Sequence, residues 1–475
     1  MSFKLVMLWT DAMIYLLLLV AITGGWWIRQ RPHLLLPWQR LFRNRMGMVS
    51  MLVLSLFVIV GLLDTVHYRA ALPQLNTADG KSNGQTVYAT EILSVLDKLL
   101  VNLRTQTEKT YSAPLAVYLY AKESIETADG KILREYPRLR HGGAHLADPQ
   151  QDHTADILKR SLFGLFAGWV GGVMLVLLVV SFGAARTRMS ARAWVEARQH
   201  TPLNALLITV ILLAMLIGLL VNLATAYHVL GTDKVGQDVL YLSLKSIRTG
   251  LVIGTVTTLV MLPFALFLGV AAGYFRGWID DVIQYIYTVL SSIPNVLLIA
   301  AAVLMMQVTI EKHGEWFSST AERADLRLLF LCLILGVTSW TGLCRLLRGE
   351  ALKLREQEYI QAAQAFGVSS YHILTRHLMP NVMHIVLITV VMDFSALVLA
   401  EAVLSYVGVG VDPSTNSFGT LINNARLELG REPMVWWTLA AAFSFMLVLV
   451  LAANLFADAV RDAFDPRLNR TGDAK

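Results

Sequence analysis

Two carboxylates lie inside apolar stretches of the sequence, where an ionisable side chain could do chemistry. Asp393 stands in the middle of the apolar run 382–406, and Glu401 follows eight residues later, so both fall near one face of a helix. Because a carboxylate that faces lipid is costly, both should face protein or a water-filled path. Asp393 could bind a cationic group of a solute, or pair with an arginine or hydroxyl of a neighbouring helix.

Other reactive patterns are weak. No two histidines stand at i and i+4 in an apolar run, so no metal site is predicted. Gly80-Lys81-Ser82 is similar to the end of a phosphate-binding loop, but Leu75 stands where its first glycine should be. Cys332 and Cys344, twelve residues apart in one apolar run, are expected to be buried small hydrophobes. We expect this chain itself to bind no metal, cofactor or ATP.

A polar stretch, residues 349–381, separates two apolar runs and predicts two short helices with a break. Gly367 is placed just after the first helix, where a positive φ is favourable for glycine. Ser369 or Ser370 can cap the second helix. Two adjacent alanines, Ala362 and Ala363, give the first helix a low, narrow surface that another protein's groove can approach closely.

Composition places the chain in a membrane. It has 475 residues, of which 55% are hydrophobic and 16% charged, whereas soluble domains carry about a quarter charged residues. Apolar runs of this length indicate membrane-spanning helices. We predict nine spans, at 7–27, 46–66, 161–182, 203–223, 249–272, 282–306, 327–346, 382–406 and 436–457.

The arginines predict the orientation of these spans. The loop from Ile28 to Arg45 holds five arginines and no acid, so it is expected on the cytoplasmic side. The N-terminus is then outside, and the C-terminus and the 349–381 stretch are inside. This topology also accounts for the basic balance of the chain, so no nucleic-acid partner is inferred.

Residues 67–160 are polar and predict a small α/β domain on the outer side. The spacing of apolar residues over 87–103 predicts an amphipathic helix. Residues 115–120 favour a strand, and Asp129-Gly130 predicts a turn before a strand at 131–136.

The 349–381 stretch resembles the EAA loop of the membrane subunits of ABC importers, which has a Glu, two Ala, a Gly, a hydrophobic residue and a final Pro. In that family the loop docks into the ATP-hydrolysing subunit. The resemblance implies a coupling role for the matching residues Glu358, Ala362, Ala363, Gly367 and Pro380.

Other stretches are similar to motifs of the dipeptide/oligopeptide/nickel branch of these importers, in the same order. Tyr227–Gly250 resembles its outer-face signature LGTD..GRD, with Gln237 in place of Arg; the matches include Gly231, Thr232, Asp233, Gly236 and Asp238. Gly273–Ala300 resembles a GY.GGW.D turn followed by a helix containing Pro294. Ala400–Gly419 resembles EA.LSFLGLG and implies a structural, gate-packing role for Glu401. Asp458–Leu468 resembles the family's tail.

The resemblance implies a non-catalytic, all-α membrane subunit of an ATP-driven importer of peptides or peptide-like solutes. Its expected partners are a second homologous permease subunit, one or two ATPase subunits that carry ATP and Mg, and an extracytoplasmic binding protein, all at the bacterial inner membrane. A secondary, ion-driven transporter would account for Asp393 but leaves the 349–381 stretch unexplained. A membrane-anchored sensor built on the outer domain would not need six core spans.

The family's six-span core accounts for only part of the chain. We predict an extra N-terminal span with a basic loop (1–45), the first core span (46–66), an outer domain (67–160), an inserted hairpin (161–226) and the remaining core (227–475). The added segment is expected to be self-contained. A shortened chain in which Leu63 is joined to Tyr227 should therefore still insert in the membrane and bind its ATPase. A cysteine at Ser112 should react with an impermeant reagent from outside, and one at Ser190 should not.

Overall fold

The computed structural model describes residues 3–30, 32–71, 88–126, 132–187, 202–317 and 319–464. Gly80-Lys81-Ser82, the Asp129-Gly130 turn, Ser190 and the last residues of the tail motif lie outside the described residues.

The first half of the described chain combines short strands with helices. The strands are β1 (Phe3–Val6), β2 (His67–Ala70), β3 (Leu93–Ser94), β4 (Glu123–Glu126) and β5 (Ile132–Glu135). The helices are α1 (Trp9–Arg29), α2 (Pro32–Leu41), α3 (Arg45–Thr65), α4 (Val95–Leu99), α5 (Val101–Thr105), α6 (Pro149–Thr187) and α7 (Leu203–Ala224).

The second half of the described chain is helical. Its helices are α8 (Val239–Phe275), α9 (Trp278–Ser292), α10 (Asn295–Lys312), α11 (Thr320–Arg355), α12 (Glu358–Ala365), α13 (Ser370–Ile373), α14 (Met379–Tyr406), α15 (Phe418–Glu428) and α16 (Trp437–Phe464). A 3₁₀ turn lies at Gly314–Trp316 and a π-helical turn at Leu374–Leu378.

Nine helices in the described part of the chain are long and apolar enough to cross a membrane, which confirms the predicted number. One predicted span is not the single continuous helix that the sequence analysis expected. Residues 282–306 are two helices, α9 and α10, separated at Ile293-Pro294, and α10 is one of the nine. Proline lacks an N–H and disfavours a helical conformation of the residue before it, and Ile293 is extended, with φ −88° and ψ 132°.

Contacts divide the described chain into two compact units. The first contains Leu36–Arg248 and Asn416–Ala459, and the second contains Leu5–Leu35 and Thr249–Thr415 with the last residues of α16. In the first unit, α6 and α7 pack through small residues. A Cβ added at Gly168 would lie 2.4 Å from the carbonyl oxygen of Ala214. Such residues let membrane helices approach backbone to backbone.

The predicted α/β domain is present, with different elements. Strand β2 pairs antiparallel with β3, and β4 with β5, and the latter pair confirms a strand near 131–136. The predicted helix over 87–103 is wrong. Ser94 caps α4 with a reciprocal capping box, so β3 ends and two short helices follow. Residues 115–120 form no strand in the structure. Leu115 has a positive φ of 58° and Tyr118 makes only an isolated bridge.

The core of the second unit joins α8 and α11 to the 349–381 stretch. Its buried members include Ala265, Leu347, Ala351, Ile360, Ile373, Leu378 and Val382. A Cβ at Gly269 would lie 2.8 Å from the carbonyl oxygen of Cys344, so α8 and α11 are in backbone contact there. Cys332 and Cys344 are buried free thiols, as expected.

Candidate functional site

The 349–381 stretch forms the two short helices and the break that the sequence predicts. Helix α12 ends at Ala365, and Gly367 has the expected positive φ, 75°. Ser369 stands at the N-cap of α13, but its side chain does not cap the helix; its carbonyl oxygen accepts from the backbone N–H of His372 at 2.9 Å. Pro380 lies in the first turn of α14, where its missing N–H is tolerated.

Buried and exposed residues divide the 349–381 stretch into an anchor and an exposed face. Ile360, Ile373 and Leu378 are completely buried in the core of the second unit. Glu358 and Ala362 are exposed, and Ala363 is half-buried against that core. The anchor therefore fixes the stretch, while one side of α12 remains accessible.

Three large aromatic side chains of this face were missed by the sequence analysis. Phe366 is 86% exposed, Tyr371 75% and Tyr359 45%. Exposed large apolar groups that cluster on one segment are typical of protein–protein interfaces. The usable signal was the presence of three aromatic residues in an otherwise polar stretch.

The two carboxylates within the apolar helix α14 have different surroundings in the structure. Glu401 is 1% exposed and accepts a hydrogen bond from the Ser405 hydroxyl at 2.6 Å. Asp393 is half-buried, and within the described ranges no side chain donates a hydrogen bond to it or forms an ion pair with it. The alternative in which Asp393 pairs with a neighbouring helix of this chain therefore finds no support in the described residues.

Close helix packing fixes the position of Asp393. A Cβ added at Gly254 of α8 would lie 2.4 Å from the ring of Phe394 on α14. The backbone of α14 is thus held against α8 at the residue after Asp393. Exposed apolar residues continue along α14 beside it, at Met392, Leu399, Val403 and Tyr406.

The 231–238 turn contains the motif residues that the sequence singled out. Gly231 and Gly236 have φ of 72° and 78°, a region that favours glycine. The Asp233 carboxylate accepts from the backbone N–H groups of Val235 and Gln237, both at 2.9 Å. Asp238 accepts from the N–H groups at the start of α8, at 2.8 and 3.2 Å. Among these residues, each polar side chain has a structural partner.

An earlier segment of the chain lies directly on this turn. A Cβ at Gly236 would lie 1.9 Å from the carbonyl oxygen of Glu108, and one at Gly231 would lie 2.5 Å from that of Ser112. The Thr232 hydroxyl donates to the Thr110 carbonyl at 2.9 Å. The two glycines are therefore needed for the close approach of residues 108–112 as well as for the turn itself.

A buried charge cluster, Glu108–His228–Asp238, joins the same two segments. His228 Nδ1 donates to Asp238 Oδ2 at 2.8 Å, and His228 Nε2 lies 3.5 Å from Glu108 Oε1, within ion-pair distance. Glu108 also accepts from the backbone N–H groups of Arg140, His141 and Gly142. Sequence reasoning missed this cluster, because no spacing relates Glu108 to a histidine 120 residues away.

These contacts connect the predicted insertion to core residues, which the expectation of a self-contained insertion did not include. Besides the cluster, Tyr111 donates to Glu428 of α15 at 3.1 Å, and Lys245 of α8 lies 3.1 Å from Asp97. The prediction that Ser112 is accessible is wrong, since Ser112 is completely buried. Lys109, whose side chain is 62% exposed, is the better site for labelling with a thiol reagent after substitution by cysteine.

Burial and charge act in opposite directions on the cluster. Burial alone would lower the pKa of His228, but Asp238 and Glu108 outweigh it and raise that pKa from 6.5 to about 9. Burial alone would raise the pKa of Glu108, but His228 and three backbone N–H groups lower it from 4.5 to about 2. Both groups are therefore charged in the folded protein at neutral pH.

The cluster predicts a pH dependence of the contact between residues 108–112 and the 231–238 turn. The contribution of His228 is fully present below pH 6.5 and is lost as the pH rises through about 9. The contribution of Glu108 is fully present above pH 4.5 and is lost as the pH falls through about 2. Hydrogen exchange of the Ser112 amide, corrected for its intrinsic rate, should be slowest between pH 4.5 and 6.5. An unchanged corrected rate at pH 9.5 would contradict this.

Comparisons with known proteins agree with the motifs. The family described as binding-protein-dependent transport system inner membrane component matches residues 265–470. Oligopeptide transport system permease protein OppC of Mycobacterium tuberculosis is 32% identical over 239 residues, 50% of this chain and 76% of the relative. Dipeptide transport system permease protein DppC of Lactococcus lactis is 31% identical over 240 residues, 50% of this chain and 64% of the relative. Glutathione transport system permease protein GsiD of Pectobacterium atrosepticum is 30% identical over 243 residues, 51% of this chain and 73% of the relative.

Proposed function

Because this chain belongs to the family of binding-protein-dependent transport system inner membrane components, we propose that it forms the translocation path of an ATP-driven importer and couples that path to a separate ATPase. The observation that carries the proposal is the 349–381 stretch. Its apolar residues anchor it in the core, and Glu358, Ala362 and Phe366 are presented on its exposed face. Such a fixed, exposed helix is suited to receive force from a partner.

The proposed assembly divides the chemistry among subunits. Membership of the family implies an ATPase and an extracytoplasmic binding protein as partners. We further propose a second, homologous permease subunit and one or two ATPase subunits, which bind ATP and Mg. In this arrangement the present chain performs no catalysis. Its N-terminus lies outside, and its C-terminus and the 349–381 stretch lie on the cytoplasmic side.

The proposal is tested by purification and transport together. The full chain should copurify with an ATPase. Vesicles that contain the assembly with the 349–381 stretch facing their interior should take up solute only when ATP is enclosed in them. Uptake driven by an ion gradient without an ATPase would favour a secondary transporter instead. Binding of solute without any uptake would favour a sensor.

The substrate class follows from the relatives and from Asp393. Relatives are named for oligopeptide, dipeptide and glutathione transport, so we propose peptides or peptide-like solutes for this chain. Asp393 is proposed to line the path and to attract the cationic amino terminus of a peptide. Glu401, buried against Ser405, is proposed to hold the end of α14 in place.

Asp393→Asn should raise the KM for uptake of a dipeptide about tenfold, the effect of losing about 1.4 kcal/mol of binding energy. The amount of assembled complex should stay the same. Transport of an N-acetylated dipeptide, which lacks the cationic group, should not change. Asp393→Glu keeps the charge and is the matched control. Less assembled complex with an unchanged KM would show a structural role instead.

A further inference from the structure

The turn between α8 and α9 has an unusual backbone. Arg276 and Gly277, the two residues between these helices, both have a φ of 58°. This conformation is common for glycine but unfavourable for a residue with a Cβ. Such residues persist where surrounding contacts over-determine them, and they cluster at switch regions and functional sites. These two residues lie at the centre of residues 273–281, which we call the 273–281 turn.

Two ion pairs connect this turn to the end of α11. Arg348 donates to Asp280 through Nε at 2.6 Å and through a terminal nitrogen at 2.7 Å, a bidentate arrangement with a fixed geometry. Arg276 lies 2.5 Å from Glu356, the C-cap residue that follows α11. The first pair is mostly buried and the second is exposed. The pairs thus flank the last two turns of α11, directly before α12.

Packing between the ion pairs leaves no space. A Cβ added at Gly273 would lie 2.6 Å from both the Ala351 Cβ and the Arg348 carbonyl oxygen. The α8 backbone is therefore in contact with α11 at this level. Glycine is required here for that approach, so any separation of the two helices would open a gap in the core.

Tyr274 extends the contact to α12 itself. Its hydroxyl lies 3.4 Å from the side-chain nitrogen of Gln364, and the Arg355 guanidinium stands 5.9 Å from the centre of its ring. Tyr274 is also buried in the same core cluster as Ile360 of α12. The 273–281 turn thus contacts the end of α11 and the helix that carries Ala362.

We propose that the 273–281 turn is a second mechanical support of α12, so that force applied to α12 reaches α9 directly as well as through α11. This inference rests on the proposed coupling function and adds positioning residues to it: Arg276, Asp280 and Arg348. The turn and residues 349–365 move as one body. The break at Ile293-Pro294 then lies one helix away from the point of force.

Charge exchange tests the proposal in the assembled importer. Asp280→Asn should lower the ratio of binding-protein-stimulated to basal ATP hydrolysis about 5- to 150-fold, the usual range for coupling between sites. Asp280→Arg combined with Arg348→Asp should restore much of that ratio. Lys353→Gln is the matched control, because Lys353 pairs only with Glu350 on its own helix among the described residues, and its side chain is 75% exposed. An unchanged ratio in Asp280→Asn would overturn the proposal.

A reversible cross-link covers the case in which these variants assemble poorly. In the chain that carries Arg276→Cys and Glu356→Cys, uptake should be at least as high with the disulfide formed as with the two thiols reduced, since the two segments do not separate during transport. Loss of uptake on oxidation, with recovery on reduction, would overturn the proposal. If the unaltered chain shows no stimulation of ATP hydrolysis, the proposed function is wrong instead. The two failures are therefore distinguishable.

Discussion

Gly367→Val is expected to reduce uptake and substrate-stimulated ATP hydrolysis about 10- to 100-fold, while the chain still inserts in the membrane. Gly367 has a φ of 75°, and a β-branched side chain is strained there by roughly 1–3 kcal/mol. Among the described residues, no atom outside its own chain neighbours lies within 4 Å of a Cβ at this position, so the strain is in the backbone and not in packing. Relief of the strain would turn α13 away from α12.

Gly349→Val is the matched control for that variant. Gly349 lies inside α11, its φ is not positive, and a Cβ there also meets no atom within 4 Å in the described part of the chain beyond the helix's own backbone. The same change of residue type therefore lacks the backbone strain. Ala362→Glu and Ala363→Glu should also abolish coupling, because they place bulk and charge on the docking helix. Normal transport in Gly367→Val, Ala362→Glu and Ala363→Glu together would refute docking at α12.

His228→Asn is expected to destabilise the folded chain by about 3–5 kcal/mol, because it leaves two buried carboxylates without their cation. Glu108 and Asp238 are both almost completely buried. The variant should accumulate poorly, and its melting temperature in lipid should fall. Glu108→Gln introduced with His228→Asn removes one of the two charges and should recover part of the loss.

His145→Asn is the control for a surface histidine. His145 lies 2.8 Å from Asp156, but its side chain is 37% exposed, so we expect an effect within about 1 kcal/mol. Equal stability of His228→Asn and His145→Asn would contradict the role of the buried cluster. For the same reason, joining Leu63 to Tyr227 should now prevent assembly. It removes every partner that residues 108–112 supply to the 231–238 turn.

Local signals predicted much of the fold and one of the sites. The spans follow from apolar length, and Gly367 follows from the position of a glycine after a helix. The break at Pro294 was also available from the sequence, since proline disfavours a continuous helix, but the length of the apolar run concealed it.

Contacts between distant segments could not be predicted in this way. Glu108, His228 and the Asp280–Arg348 pair lie far apart in sequence and carry no characteristic spacing. Asp233 and Asp238 were noticed as motif residues, yet only the structure shows that Oδ1 of each accepts hydrogen bonds from two backbone N–H groups. The motif thus identified the 231–238 turn as important, and the contacts in the folded chain show that its aspartates stabilise the turn and the start of α8.

The length of α6 has a consequence for any lipid-tethered partner. The helix has 39 residues, and only 161–182 are predicted to lie in the apolar layer. At about 1.5 Å per residue, the twelve residues before that stretch project roughly 18 Å beyond the hydrocarbon boundary. Tyr227 donates to Asp156 on this projecting part, so the turn that follows α7 is fixed to it. A delivery protein anchored by an acyl chain would thus need a leash of about six or more extended residues to reach that height.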